Sequence, residues 1–360
     1  VPIIDIRCHR VSAPLHTPFV TALRRTSTVD SLIVEVIDDE CHHGWGEAPQ
    51  VWRVTGESMA SAEECVRHPL TDVIKNQDPD DLNRLLDQLA RAVEANHGAK
   101  AAVDEALHDL AAQRAGRSLP RFLGGTTHRV HTDVTLSAGT PDELAEAASQ
   151  RVKEGFDTLK VKVGTDAATD VERVKAVRQA AGKEAKLRLD ANQGWTPREA
   201  VRTITKLEDQ IIELVEQPVQ AWDLEGLKWV SDRVDTPILA DEAVYGVRDL
   251  VELIQRRAAD LVNVKLAKCG GIAQARTMLA LAEQCGVGTT IGSMMEGPIG
   301  VGAAASLAAA QGTTLACDLD AAWWLTKSPI TGGMHYKGAN IVLPDTPGLG
   351  VGNLTLSDPA

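Results

Sequence analysis

The chain has 360 residues, 44% of them hydrophobic, and a formal net charge of −13. That balance argues against nucleic acid as a partner, which calls for basic patches, and leaves a small-molecule partner open. With no apolar run of about 18 residues and no signal-like start in VPIIDIRCHRVSAP, no membrane partner and a cytoplasmic location are expected. Six cysteines without a CxxC spacing read as thiols in a reducing compartment.

Residues 1–125 read as an α+β unit. IIDIRCHRV and SLIVEVIDD are strand-like, and HHGWGEAP supplies a turn and a short strand. DLNRLLDQLARAVEA and HGAKAAVDEALHDLAAQRAG carry apolar residues at helical spacing, and LGG at 123–125 closes the segment. From about 131 short apolar runs alternate with amphipathic helices. There are eight runs: TDVTLS, DTLKVKVG, AKLRLDAN, IIELVEQP, TPILADE, LVNVKLA, GTTIGSMM and TTLACDLD. After the eighth, SPITGGMHYKGANIVLPDTPGLGVG is turn-rich, so the last barrel helix is expected to be absent and the tail to return to the first domain. The pattern predicts an α/β chain built on a (β/α) barrel. No Gly-rich phosphate turn supports an open doubly wound sheet.

Polar residues close the strand units at regular steps. Lys162, Asp190, Glu216, Asp241 and Lys265 follow one another at intervals of 24 to 28 residues. Each therefore stands at the C-terminal end of its strand, where a barrel places its chemistry. Asp190, Glu216 and Asp241 would repel one another in a low-dielectric mouth, and a hard cation removes that cost. An all-oxygen set favours Mg²⁺, with Mn²⁺ as a substitute. Strand parity sends Lys160 and Lys162 to one face, while Lys265 comes from across the ring. Two bases flanking one carbon, with a cation to stabilise an enediolate, suit a 1,1-proton transfer that needs no organic cofactor.

PFVTALRR, GWGEAP, TLKVKVG, KLRLDANQGW, ELVEQP, TPILADE, ADLVNVKLAKCGGI, GSMMEG, CDLDA and PGLG occur in order from residue 18 to 350. In these blocks the sequence resembles the enolase superfamily, its muconate-lactonizing subgroup, and within that the L-Ala-D/L-Glu dipeptide epimerases. The Lys base and Mg²⁺ pairing is a general feature of enolase-superfamily sites. The resemblance implies a (β/α)₇β modified TIM barrel over residues 126–325, a capping domain over 1–125, and a segment 326–360 that packs back on the cap. It also implies that Asp190, Glu216 and Asp241 bind Mg²⁺ and that Lys162 and Lys265 are the acid/base pair. Lys160 would hold the substrate carboxylate and depress the pKa of Lys162. Asp318 and Asp320 would bind the free ammonium of a dipeptide, a group that N-acylamino-acid racemases and muconate cycloisomerases do not need to recognise.

Side-chain preference stays open at this level. Arg24 matches the residue that pairs with a glutamate side chain, but the lysine that family members carry after SMxE is replaced by Pro298. Trp323 and Trp324 are read either as the lining of a pocket for an apolar, aromatic or cationic side chain or as packing of the barrel rim. Trp52 and Phe19 raise the same question, and Arg24 has Glu296 as an alternative partner. A homo-oligomer is expected. The alternatives on the same scaffold are an N-acylamino-acid racemase, a lactonizing enzyme, and a non-catalytic metal-dependent binding protein.

Overall fold

A computed structural model describes residues 2–355. The chain begins with an antiparallel sheet of β1 (Ile3–Val20), β2 (Arg25–Asp38) and β3 (His43–Pro49), with β2 in the middle. β1 and β2 are longer than the sequence pattern predicts. Pairing is irregular between Pro14 and Phe19 and resumes with Phe19 opposite Thr26 and Val20 opposite Arg25. Prolines are tolerated there because β1 is an edge strand. The hairpin tip, residues 21–24, carries Arg24 to the cavity at the barrel mouth.

Helices α1 (Met59–Cys65), α2 (Leu82–Arg91) and α3 (His97–Arg114) cover the sheet. α3 is buried from Gly98 to Ala112, and its alanines permit close packing. Gly44 and Gly46 of β3 are required by that approach. A Cβ would fall 2.1 Å from the Ala106 carbonyl oxygen at Gly44, and 1.8 Å from the Ala102 oxygen at Gly46.

The second part is a seven-stranded parallel sheet. Its strands are β4 (Val134–Leu136), β5 (Thr158–Lys162), β6 (Lys186–Asp190), β7 (Ile212–Glu216), β8 (Ile238–Ala240), β9 (Leu261–Lys265) and β10 (Gly288–Gly292), each paired with the next. A helix follows every strand: α4 (Pro141–Lys153), α5 (Ala167–Ala181), α6 (Pro197–Thr205), α7 (Leu224–Ser231), α8 (Val247–Arg256), α9 (Ile272–Gln284) and α10 (Pro298–Gln311). Local chemistry starts them. Thr140 with Glu143, and Thr196 with Glu199, form capping boxes before Pro at the first turn. Valines and leucines such as Val161, Leu189 and Val215 fill the layer between strands and helices.

The eighth run is only a two-residue bridge. Cys317 pairs with Thr132 and Asp318 with Gly292, both parallel, so residues 317–318 join the two edges of the curled sheet. The run is short because Thr313 and Thr314 turn back on Leu315 and Thr289, and a 3₁₀ turn, Ala321–Trp324, begins directly after Asp320. Among the described residues no regular helix follows. The tail instead forms short strands, of which Asn340–Val342 pairs with Arg129–His131. Gly348 and Leu349 hydrogen-bond to Leu119 and to Asp109 of α3. Among the described residues no helix is long and apolar enough to cross a membrane.

Candidate active site

The strand ends set the geometry. Lys162 is in register with Asp190, and Asp190 with Glu216. Glu216 is in register with Leu239, so Asp241 stands two residues further up. All of these side chains are buried, as are Lys160, Lys265, Asp318 and Asp320. One cavity is lined by Lys160, Lys162, Asp241, Lys265, Asp318 and Asp320, under a roof of cap residues that includes Phe19, Leu23 and Arg24.

The charges interlock. Lys160 Nζ lies 2.7 Å from Glu216 Oε2, 2.9 Å from Asp318 Oδ2 and 3.1 Å from Asp190 Oδ2. Lys162 Nζ donates to Asp190 Oδ2 at 2.6 Å, and Lys265 Nζ to Asp241 Oδ2 at 2.7 Å. The two lysines thus rise from different strands into one cavity, each onto a different carboxylate; Asp241 lines that cavity, whereas Asp190 and Glu216 lie behind its lining. Burial disfavours the Lys265 ammonium, but the charge of Asp241, with those of Asp318 and Glu216, outweighs it and raises the pKa. The same contest, won by Asp190, Asp318 and Glu216, holds Lys160 well above the ordinary lysine range. Glu216 goes the other way. Burial, and then the charge of Asp190, push its carboxyl up to about 8.

These residues suit a divalent cation. The acids are oxygen-only donors, buried at neighbouring strand ends, and Lys160 already places a positive charge between Asp190 and Glu216. The three carboxylates do not close on one another as tightly as Asp133, Asp318 and Asp320, whose oxygens lie within 4.8 Å of each other.

Residues that sequence reasoning missed complete the shell. Asn263 donates to Glu216 Oε1 at 3.1 Å and to Asp318 Oδ2 at 3.0 Å. Strand parity carries a signal for it, since it lies two residues before Lys265 on β9. Lys268 donates to Asp241 Oδ1 from a one-turn helix, Leu266–Cys269, where no periodicity points to it. Gln217 Oε1 accepts from the backbone N–H groups of Asp241 and Ala243, fixing the Asp241 loop. Asp133 pairs with Arg188 at 3.0 Å beneath Asp318 and Asp320, and its Oδ1 has no partner among the described residues.

The remaining expectations divide. Arg24 lines the cavity; Asp30 is the acid whose charge acts on its guanidinium, and among the described residues the barrel acids do not pair with it. Glu296 does not line the cavity. It accepts from the Met294 N–H at 2.9 Å and lies near Glu47, whose carboxylate holds the N–H groups of Gly297 and Gly300. Neither Trp323 nor Trp324 lines the cavity, because the 3₁₀ turn points the pair at β1 and α4. Trp324 is buried against His16 and Phe19, while Arg151 lies over Trp323 at 4.4 Å. Trp52 is 68% exposed, whereas Phe19 is at the cavity.

Residues 3–124 match the mandelate racemase/muconate lactonizing enzyme N-terminal domain, and residues 143–353 match the enolase C-terminal domain-like family. The chain belongs to the mandelate racemase/muconate lactonizing enzyme family. It is an enzyme of the enolase superfamily. It is 45% identical to the L-Ala-D/L-Glu epimerase of Bacillus subtilis over 97% of this chain and 96% of that one. It is 41% identical to the hydrophobic dipeptide epimerase of Enterococcus faecalis, over 97% and 98%. The substrate-liganded structure of the Bacillus subtilis epimerase superimposes with a TM-score of 0.96 at 44% identity, covering 99% of this chain and 100% of that one. The Enterococcus faecalis epimerase complexed with Mg and L-Leu-L-Tyr gives 0.95 at 40% identity, covering 98% and 100%. Membership agrees with the layout of this chain, in which the cap supplies the roof of the site and the barrel supplies its lysines and acids.

Proposed function

We propose that the protein is a Mg²⁺-dependent dipeptide epimerase that inverts the C-terminal residue of an L,L-dipeptide. The observation that carries the reading is the cavity itself, with two buried lysines on separate carboxylates and an acid pair at its side. Asp190, Glu216 and Asp241 would hold the metal. When bound, Mg²⁺ supplies positive charge beside the substrate carboxylate, where the enediolate charge develops. Lys162 and Lys265 face the α-carbon from opposite sides. One takes the proton as a base and the other returns one as an acid. Lys160, with three carboxylates around it, keeps its charge and offers it to the substrate carboxylate.

Asp320, Asp318 and Asp133 form the acid-rich end of the site. Three buried carboxylates within 4.8 Å of one another favour a cation among them, and a dipeptide brings an ammonium. Asp318 already receives Lys160 and Asn263, so Asp320 is the acid with charge to spare. An N-acylated amino acid has no group for it. The second side chain would lie under the roof, between apolar Leu23, Val51, Val54 and Met294 and the Arg24 guanidinium.

The test is α-proton exchange in D₂O across L-Ala-L-Xaa and L-Xaa-L-Ala dipeptides with Mg²⁺ present. Exchange with dipeptides, and a severe loss in Asp320→Asn, are expected. Turnover of N-acyl amino acids in preference to dipeptides would overturn the reading.

A further inference from the structure

We infer that Trp324 is a positioning residue for amino-group recognition: its indole N–H fixes one oxygen of Asp320 and leaves the other for the substrate. This rests on the reading of Asp320 as the receptor of the dipeptide ammonium. Trp324 Nε1 donates to Asp320 Oδ2 at 3.0 Å, and the Thr135 backbone N–H donates to the same oxygen at 2.7 Å. Among the described residues no hydrogen-bond donor reaches Oδ1, and Asp320 lines the cavity. Two donors on one oxygen stop rotation of the carboxylate without neutralising it. An arginine or lysine in place of the indole would cancel the charge that the ammonium needs. Asp318 illustrates the difference, because its Oδ2 is taken by the Lys160 ammonium.

The indole is itself held. His16 stacks on Trp324 at 5.2 Å and 13°, and the Phe19 ring meets it edge-on at 5.2 Å and 87°. Both belong to β1 of the capping domain. The end of that strand is tied to the turn by a Leu15–Leu325 bridge and by the Thr326 N–H on the Pro14 oxygen at 2.9 Å. Phe19 also lines the cavity. The cap therefore reaches the amino-group receptor through one ring. Trp324 contributes to substrate choice from behind the acid rather than by touching the substrate side chain.

The experiment compares wild type, Trp324→Phe and a variant with β-(3-benzothienyl)alanine at position 324, which keeps the bicyclic shape and lacks the N–H. Each is assayed with a free dipeptide and with the matching N-propionyl amino acid as inhibitor, which lacks only the amino group. The inference expects KM for the dipeptide to rise about 10-fold in both variants with kcat within about twofold, the loss of one hydrogen bond to a charged group. The inhibition constant of the N-propionyl compound should stay unchanged. Introducing Trp324→Phe into Asp320→Asn should add nothing further to KM. Equal losses for both ligands would mark a structural role and overturn the inference, as would an unaltered KM in the benzothienyl variant. If Asp320→Asn itself leaves the dipeptide KM unchanged, the ammonium reading fails, and this inference with it. If Asp320→Asn raises KM and the Trp324 variants do not, only the inference fails.

Discussion

The Lys160 ammonium stands 2.7 Å from Glu216 Oε2, inside the set of carboxylates proposed for the metal. It stabilises that set when no cation is bound, and a bound cation must share or displace it. Glu216 also carries a carboxyl pushed up to about 8, through burial and the nearby Asp190 charge. Metal binding requires the ionised form. Mg²⁺ affinity is therefore expected to rise with pH through the neutral range and to level off above about 8, with proton release on binding at pH 7. Calorimetric titration in buffers of different ionisation heat measures that release. A pH-independent affinity with no proton release would contradict it.

The two lysines make separable predictions. Lys162→Ala and Lys265→Ala should each lower epimerisation by about 10²–10⁴-fold, the ordinary worth of a positioned acid or base. Exchange of the α-proton should persist in each variant for one epimer only, and for opposite epimers in the two. Deuterium incorporation from the L,L and L,D dipeptides, followed separately, checks this. Loss of exchange from both epimers in either variant would contradict a two-base mechanism.

Arg24 is a half-buried cation of the roof, with Asp30 as the acid that acts on it electrostatically. Arg24→Leu should lower kcat/KM for Ala-Glu by about 10–100-fold, the range for a hydrogen bond to a charged group. Ala-Leu should change by less than about threefold, since Leu23, Val51 and Val54 remain and only uncharged contacts are at stake. Parallel steady-state assays on the two dipeptides decide it.

Asp109 gives a pH dependence of stability. It accepts the N–H groups of Trp45 and Leu349, and burial outweighs those bonds, pushing it from 3.8 up to about 7. The folded state then binds this proton more tightly than the unfolded state. Its contribution is fully present below about pH 4 and is lost as pH rises to about 7, at a slope approaching 1.4 kcal/mol per pH unit. Asp109→Asn should remove that part of the slope in denaturant unfolding measured from pH 4 to 7.

Much of the site is legible in the sequence. Period-two parity puts Lys160 and Lys162 on one face, and a run of strand ends 24 to 28 residues apart places the acids and Lys265 at one rim. These are short-range patterns, and secondary structure alone turns them into position. The extended β1–β2 hairpin is less legible, because Pro14 and Pro18 interrupt the alternation that marks a strand.

The pairings inside the site depend on contacts across long stretches of chain. Asp320 meets the Thr135 N–H 185 residues away, and Asp318 meets Lys160 across 158. No local propensity encodes such a pairing, which arises once residues 317–318 close the curled sheet. The same closure sets the fate of the two tryptophans. Their aromatic character suggests a substrate pocket, but a 3₁₀ turn immediately after Asp320 sends the rings toward β1. Local patterning thus establishes which residues carry the charge and at which end of the barrel they stand. The closed barrel establishes which charges neutralise one another and which remain for a substrate, because electrostatic pairing depends on separations of a few ångströms that only the folded chain creates.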